Sequence, residues 1–399
     1  MATRAVKITS PSPDAGQALV AMRDARERTL ALVAGLDDGQ LERVHSPIMS
    51  PLVWDLGHIA AYEDLWLAHR YGGLQLLRPE LAHLYDAFET PRAVRGEIEA
   101  LGPAQAREYM AAVSERTGEV LSERGLGDGV LCEMVLRHEL QHSETMRQTM
   151  AIAGLLSDAD RARLDEPLGP PVTAEGWLEL PPGELAMGAG SEGFAYDNER
   201  PRHTVELGAF ALARRPVSNA SWMRFSEGGG YERREWWSRE GWAWKEEHDI
   251  THHASIAAGH PEAPVCHVSW FEADAFARAH DARLPSEGEW ERAATWTQQM
   301  SAEGPSAVGA PASPEPGPGG LAGVGRVWEW TRSHFHGYPG FAPYPYREYS
   351  QVFFGEDYRV LRGGSWATHP RVATLTFRNW DLPQRRQIFA GVRLSRDVR

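Results

Sequence analysis

From about residue 16 to residue 154, apolar side chains recur at three- and four-residue spacing, with polar faces between them and few β-branched runs. This is the period of helices that each bury one stripe. Four stretches carry it, near residues 16–36, 51–70, 103–124 and 129–153. Ser50-Pro51 and Gly102-Pro103 fit helix starts, because proline is tolerated where a backbone N–H has no helical partner. A helix bundle is the natural way to bury four such stripes, the second of which is Trp54, Leu56, Ile59 and Leu65. Residues 155–171 lose the period and gain Asp, Arg and Pro, which places a boundary there and predicts domains at 1–156 and 172–399. Beyond it come short apolar pieces broken by glycine and proline, such as 177–180, 204–207 and 359–361. Helices are expected there at 218–227, at 270–280 and from Ser286 onward. The predicted class is therefore multidomain, an α bundle followed by a loop-rich α+β domain. Residues 299–322, rich in Ala, Pro, Gly and Ser, read as a flexible insertion, and no internal repeat stands out.

Two domains also suit the length of 399 residues, which exceeds what one ordinary core holds. The formal charge of −14 argues against nucleic-acid or anionic-membrane partners, which need a positive footprint, and leaves small molecules as the expected ligands. Residues 1–17 have no signal-peptide apolar run and no stretch is long enough to cross a bilayer, so a cytoplasmic location is expected. Cys132 and Cys266 are the sole cysteines, too few for a disulfide framework or a cysteine-based zinc cluster. Any metal must then be held mainly by His or carboxylate.

The strongest local signal is His138-Glu139-Leu140-Gln141-His142, in a stretch whose Val130, Leu131, Met134, Val135 and Met146 predict a helix facing a core. Residues four apart share a helix face, so both imidazoles can reach one ion, with Gln141 close to the same face. The spacing equally fits exposed or hydrogen-bonded core histidines. A third candidate is His58, in Trp54-Asp55-Leu56-Gly57-His58-Ile59 on the expected second helix, and bundles build metal sites from inward side chains of separate helices. A satisfied core histidine is the plainer reading of His58 alone. Three imidazoles without cysteine suit iron, zinc, copper or nickel alike.

The same residues match His-Glu-x-x-His, the zinc-peptidase motif in which the glutamate is the general base. Thr145 and Gln148 stand where the extended form of that motif requires Gly and His, but Asp158, Asp160 or Glu166 remains possible as a third ligand. A peptidase and a non-catalytic binding module therefore stay open at this point.

Met49-Ser50-Pro51-Leu52-Val53-Trp54-Asp55-Leu56-Gly57-His58 together with residues 138–142 resembles the DinB-like domain of the ergothioneine-biosynthesis sulfoxide synthases. In the second half, Pro216-Val217-Ser218-Asn219, His267-Val268-Ser269-Trp270, Arg283-Leu284-Pro285-Ser286-Glu287-Gly288-Glu289-Trp290, Val327-Trp328-Glu329-Trp330, Arg362-Gly363-Gly364-Ser365-Trp366 and Gly391-Val392-Arg393 resemble the sulfatase-modifying-factor domain, which has a C-type-lectin-like fold. That second domain by itself suggests a formylglycine-generating enzyme, whose chemistry needs a cysteine pair in its C-terminal part, where this chain has Cys266 alone.

The resemblance implies an N-terminal DinB-like helical iron-binding domain followed by a substrate-binding C-type-lectin-like domain. It implies a nonheme Fe(II) site of His58, His138 and His142 with open positions for donor, acceptor and dioxygen, as in facial-triad oxygenases. The implied acceptor is hercynine, the trimethylated betaine of histidine, and the implied donor a cysteine derivative such as γ-glutamylcysteine. They join at imidazole carbon 2 to give a sulfoxide. Gln141 and Asn379 match positions that help hold the acceptor. Arg92 and Arg95, in Phe88-Glu89-Thr90-Pro91-Arg92-Ala93-Val94-Arg95, match arginines that grip the donor carboxylate, a task suited to a guanidinium fork. Asp381 and Arg385 resemble residues that recognise the far amino-acid end of the donor, with Trp380 a substrate contact beside them. A tyrosine acts in the family as proton donor, and Tyr344 and Tyr346 are the candidates in residues 337–349. Selenoneine synthases share the two-domain plan and the acceptor but take a selenosugar donor, so sulfur and selenium both remain open, sulfur being preferred for Arg92, Arg95, Asp381 and Arg385.

Overall fold

The computed structural model describes residues 15–169, 176–253, 259–301 and 320–398. Most of the expected insertion lies outside the described residues. The chain divides into two compact units, Met1–Leu155 and Leu156–Arg399.

The first unit contains α1 (Ala15–Val33), α2 (Asp38–Glu42), α3 (Leu52–Glu63), α4 (Pro103–Arg124) and α5 (Val130–Ala153). All four long elements lie where the hydrophobic period puts them. Between α1 and α3, the short α2 is closed by a reciprocal box: Asp37 accepts the Gln40 N–H and Gln40 accepts the Asp37 N–H. Helix α5 stops at Gly154, whose φ of 70° is a left-handed cap that glycine adopts without steric cost. α1 packs on α4 and α5, and α3 packs on the same two helices.

Residues 52–60 of α3 are buried without exception, so α3 is a central helix, not an amphipathic surface one. Every polar group it carries must therefore find a partner inside the bundle. Glu63 meets the Arg26 guanidinium at 2.6 Å, and Glu139 on α5 meets the same guanidinium at 2.9 Å. Arg26 also donates to the Met110 carbonyl and Ser114 Oγ, so a single cation ties α1 to α3, α4 and α5. α3 runs directly into a π-helical segment, Asp64–Tyr71, whose exit keeps the i to i+5 pattern in Gly72 N–H to Leu67 O, 2.9 Å.

The second unit opens with α6 (Asp158–Leu164), capped by Ser157 Oγ on the Asp160 N–H. Loss of the long apolar period predicts a domain boundary there. A capped helix of about two turns needs no such period, and the division between units falls before this segment. There follow β1 (Trp177–Leu180), β2 (Gly183–Met187), β3 (His203–Leu207), β4 (Phe210–Ala213), α7 (Asn219–Glu227), α8 (Arg239–Glu247), α9 (Trp270–Ala279), α10 (Glu287–Ser301), β5 (Trp328–Phe335), β6 (Gly355–Arg362), β7 (Asn379–Asp381), β8 (Ala390–Gly391) and β9 (Ser395–Asp397). α8, capped by Ser238, has no counterpart in the expected elements. The strands form sheets ordered β1-β4-β9, β2-β3 and β7-β6-β5-β8, antiparallel except for the β5–β8 pair.

Leu178, Leu180, Phe210 and Leu212 form a core with Trp290, Ala293 and Ala294 of α10. Several of the motif residues prove to be buried ion pairs. Arg393 clasps Glu329 through two bonds of 2.7 and 2.6 Å with neither side chain exposed. Arg378 holds Glu287 the same way, at 2.8 and 2.9 Å. Paired forks of this kind satisfy charges that a loop-rich domain cannot leave alone inside.

Candidate metal centre

His58 projects from α3, and His138 and His142 project from successive turns of α5. One nitrogen of each lies within 4.8 Å of one nitrogen of each of the others. His58 Nε2 and His138 Nε2 are 3.0 Å apart. That is close to the spacing of two ligands at a right angle on an ion with bonds of about 2.1 Å. The outer nitrogens are held. His58 Nδ1–H donates to the Tyr85 carbonyl at 2.7 Å, which leaves the Nε2 lone pair facing the cluster. His142 Nδ1–H donates to Asp55 Oδ1 at 3.0 Å. This is the outer hydrogen bonding by which metal-binding histidines are aimed.

His138 is held differently. Its ring lies against the ring of Tyr62, with centroids 3.7 Å apart and planes at 13°. Burial, and then the neighbouring imidazoles, hold the pKa values of His58 and His138 well below the ordinary histidine range; for His58, the Tyr85 carbonyl opposes this. Both rings are therefore neutral at pH 7, the form that binds a cation. A cluster of three imidazoles, with two outer nitrogens pinned and no thiolate, fits a first-row divalent metal.

The carboxylate of Glu139 serves elsewhere. It is 5 % exposed and receives two bonds from Arg26, 2.9 and 3.2 Å. A general base must be free to take a proton from a water molecule, and this one is clamped in a buried ion pair. The peptidase reading loses its base.

The other expected site residues are placed as follows. Gln141 is half-buried on α5. Arg92 is exposed in a single helical turn, Arg92–Val94, with one long bond of 3.5 Å to the Ile48 carbonyl. Arg95 departs from the expectation of an arginine pair offered side by side: it is 6 % exposed, and each of its three guanidinium nitrogens already donates within the protein. In the second unit, Asn379, Trp380 and Asp381 form β7. The Asn379 Oδ1 accepts the Trp380 N–H, and the Trp380 ring stacks on Phe335 at 4.2 Å. Asp381 accepts from the Leu382 N–H and from Gln387 Nε2, and lies 3.7 Å from Arg385 Nε. Tyr344 is 51 % exposed, with its backbone N–H on Asp197 Oδ2, and Tyr346 meets Tyr349 edge-on at 6.2 Å.

Asp55, Tyr62 and Tyr85 join the site without having been singled out in the sequence as site residues. Asp55 and Tyr62 lie three residues before and four after His58, spacings that share its helix face and so carried a signal. Tyr85 acts through its backbone carbonyl, which leaves no trace in residue type.

Residues 21–146 match the DinB superfamily, and residues 166–305 and 308–398 match the sulfatase-modifying factor enzyme 1-like domain. The chain is 41% identical to a hercynine oxygenase of Mycolicibacterium thermoresistibile over 94% of its own length and 93% of that protein. It belongs to the hercynine oxygenase family. A second member of that family, from Mycobacterium tuberculosis, is 40% identical over 94% of this chain and 97% of its own. The formylglycine-generating enzyme of Streptomyces coelicolor is 31% identical over 51% of this chain. These hercynine oxygenases match along both units, whereas the formylglycine-generating enzyme matches about half of the chain, so the three-histidine cluster stands in an oxygenase family.

Proposed function

We propose that this chain is an Fe(II)- and dioxygen-dependent enzyme that bonds the sulfur of a cysteine derivative, γ-glutamylcysteine, to carbon 2 of the hercynine imidazole. The overall reaction balances as thiol plus hercynine plus dioxygen giving the sulfoxide and water. One oxygen atom goes to sulfur, and the other leaves with the thiol hydrogen and the carbon-bound hydrogen. The three-imidazole cluster carries the proposal, supported by similarity to hercynine oxygenases along nearly the whole chain. His58, His138 and His142 would hold the iron, which when bound supplies dioxygen activation and an anchor for the donor. Gln141 contributes a neutral hydrogen-bonding group for the acceptor, and Asn379 and Trp380 are assigned to the acceptor and substrate likewise. Arg92 offers its charge to a donor carboxylate, with Asp381 and Arg385 for the amino-acid end. Tyr344 and Tyr346 stay the candidates for proton donor. The enzyme's partners are small molecules and its place the cytoplasm.

The engagement of Arg95 favours a second reading. With one exposed arginine instead of a pair, a donor without a carboxylate, such as the selenosugar of selenoneine synthesis, meets fewer obstacles than the pair predicts. The test is anaerobic loading with Fe(II), then hercynine with either donor and air, followed by mass spectrometry and an oxygen electrode. Sulfoxide formation from γ-glutamylcysteine, lost together with bound iron in His58→Ala, is the expected result. Efficient use of the selenosugar with poor use of γ-glutamylcysteine replaces the donor, and no oxygen uptake with either overturns the enzyme reading.

A further inference from the structure

A single stripe of α3 touches all three histidines. Asp55, His58 and Tyr62 follow one another at three- and four-residue spacing and so share one helix face. Asp55 Oδ1 accepts the Nδ1–H of His142 at 3.0 Å, His58 is itself a member of the cluster, and the Tyr62 ring covers the ring of His138. His58 and His142 are each aimed by a hydrogen bond at the nitrogen that faces away from the cluster. Among the described residues, His138 meets its hydrogen-bond partner, His58, inside the cluster, so no outer bond aims it.

An imidazole without an outer bond can turn about its Cβ–Cγ bond, a rotation with broad wells. A flat group in contact with its face removes that freedom, because turning the ring drives its edge into the neighbour. The Tyr62 ring is such a group, with centroids 3.7 Å apart and planes at 13°. Trp66, one turn further along and buried, backs Tyr62 at 6.1 Å and carries the Arg70 guanidinium over its own ring at 4.4 Å. A metal ion on Nε2 withdraws electron density from the imidazole, and the electron-rich face of a phenol attracts a ring so polarised. The stack therefore favours the metal-bound state, and ligand groups held loosely by their surroundings bind metal less well.

We propose that Tyr62 is a positioning residue of the metal centre, fixing His138 by ring stacking as outer hydrogen bonds fix His58 and His142. The proposal rests on the reading of the three histidines as metal ligands. The flat ring is the acting part and the hydroxyl is not. Phenylalanine keeps the plane and the contact with His138, whereas leucine and methionine fill much of the space without a plane. Tyr62 is half-buried, so such changes leave the bundle core in place.

The test compares wild type with Tyr62→Phe, Tyr62→Leu and Tyr62→Met in full-length protein. Co(II) is titrated under argon and followed by its visible d–d bands and by the paramagnetically shifted imidazole N–H signals in proton NMR. Thermal melts of the metal-free proteins check folding. Tyr62→Leu is expected to weaken Co(II) binding about tenfold, to alter the bands and to move one N–H signal more than the others. Tyr62→Phe should keep the affinity and the bands of wild type. Tyr62→Met carries the test if Tyr62→Leu does not fold. Wild-type affinity and bands in the folded leucine or methionine variant overturn the proposal. A loss in Tyr62→Phe equal to that in Tyr62→Leu overturns it as well, by assigning the effect to the hydroxyl. Failure of the wild-type chain to bind Co(II) overturns the metal reading itself, a separate and distinguishable result.

Discussion

The Asp55 carboxylate is 1 % exposed and receives the Nδ1–H of His142 at 3.0 Å, and its second oxygen has no hydrogen-bond partner among the described residues. A buried carboxylate committed to one imidazole N–H fixes the tautomer and makes the opposite nitrogen a better donor to a cation. Asp55→Ala is expected to weaken metal binding by about 10- to 100-fold, whereas Asp55→Asn, whose amide oxygen still accepts, loses less. Calorimetric titration with Co(II) checks the order of the two variants; equal affinities would remove Asp55 from the site.

Gly57 tests how the segment carrying Tyr85 reaches His58. A Cβ at Gly57 would come 2.1 Å from the Tyr85 ring, and the Tyr85 hydroxyl accepts the Leu101 N–H behind it. Gly57→Ala must push that ring, and with it the carbonyl that pins His58. A stability loss of about 1–3 kcal/mol is expected, as for other overpacked cores, together with weaker metal binding. Urea denaturation of the metal-free protein measures the first part alone.

Arg26 faces two buried carboxylates. Burial pulls its pKa down, but Glu139 and Glu63 outweigh this and raise it, while burial first, opposed by Arg26, raises the pKa of Glu63. Removing the cation leaves two acids without compensation. Arg26→Met is expected to cost about 3–5 kcal/mol, against near neutrality if all three are replaced together by apolar residues. Chemical denaturation of the single and triple variants decides between these outcomes.

His267 gives a pH dependence from the second unit. Burial, and then His253, lower its pKa to about 4, against an unfolded value near 6.5. Below pH 6.5 the unfolded chain takes up a proton that the folded chain refuses until about pH 4. The stability this histidine contributes is therefore full above pH 6.5 and lost progressively as pH falls through that window. Its φ of 64° makes asparagine the mildest replacement. Urea midpoints of wild type and His267→Asn between pH 7.5 and 4.5 should diverge least at the acid end.

Much of this architecture is legible in the sequence because its signals are local. The periods of α1, α3, α4 and α5 and the i, i+4 pair His138 and His142 each lie within a few turns of chain. What escaped is set at long range or by the backbone. The role of Glu139 depends on Arg26, 113 residues earlier. The pinning of His58 depends on a carbonyl, and the burial of Arg95 is something a charged letter in a loop does not reveal. α6 and α8 escaped because each is short and mostly charged, DADRARL and REGWAWKEE, with too few apolar residues to show a helical recurrence.

The π-helical segment at Asp64–Tyr71 has a consequence for how this chain tolerates insertion and deletion. A π turn holds an extra residue relative to an α-helix, so the segment is what a one-residue insertion into a continuous helix leaves behind. It begins six residues after His58 and ends before the loop that returns with Tyr85. Changes of length here are absorbed downstream of the ligand. The backbone of α3 at His58 thereby keeps its register with α5, and the hold of that loop on the imidazole is concentrated in one bond, to the Tyr85 carbonyl.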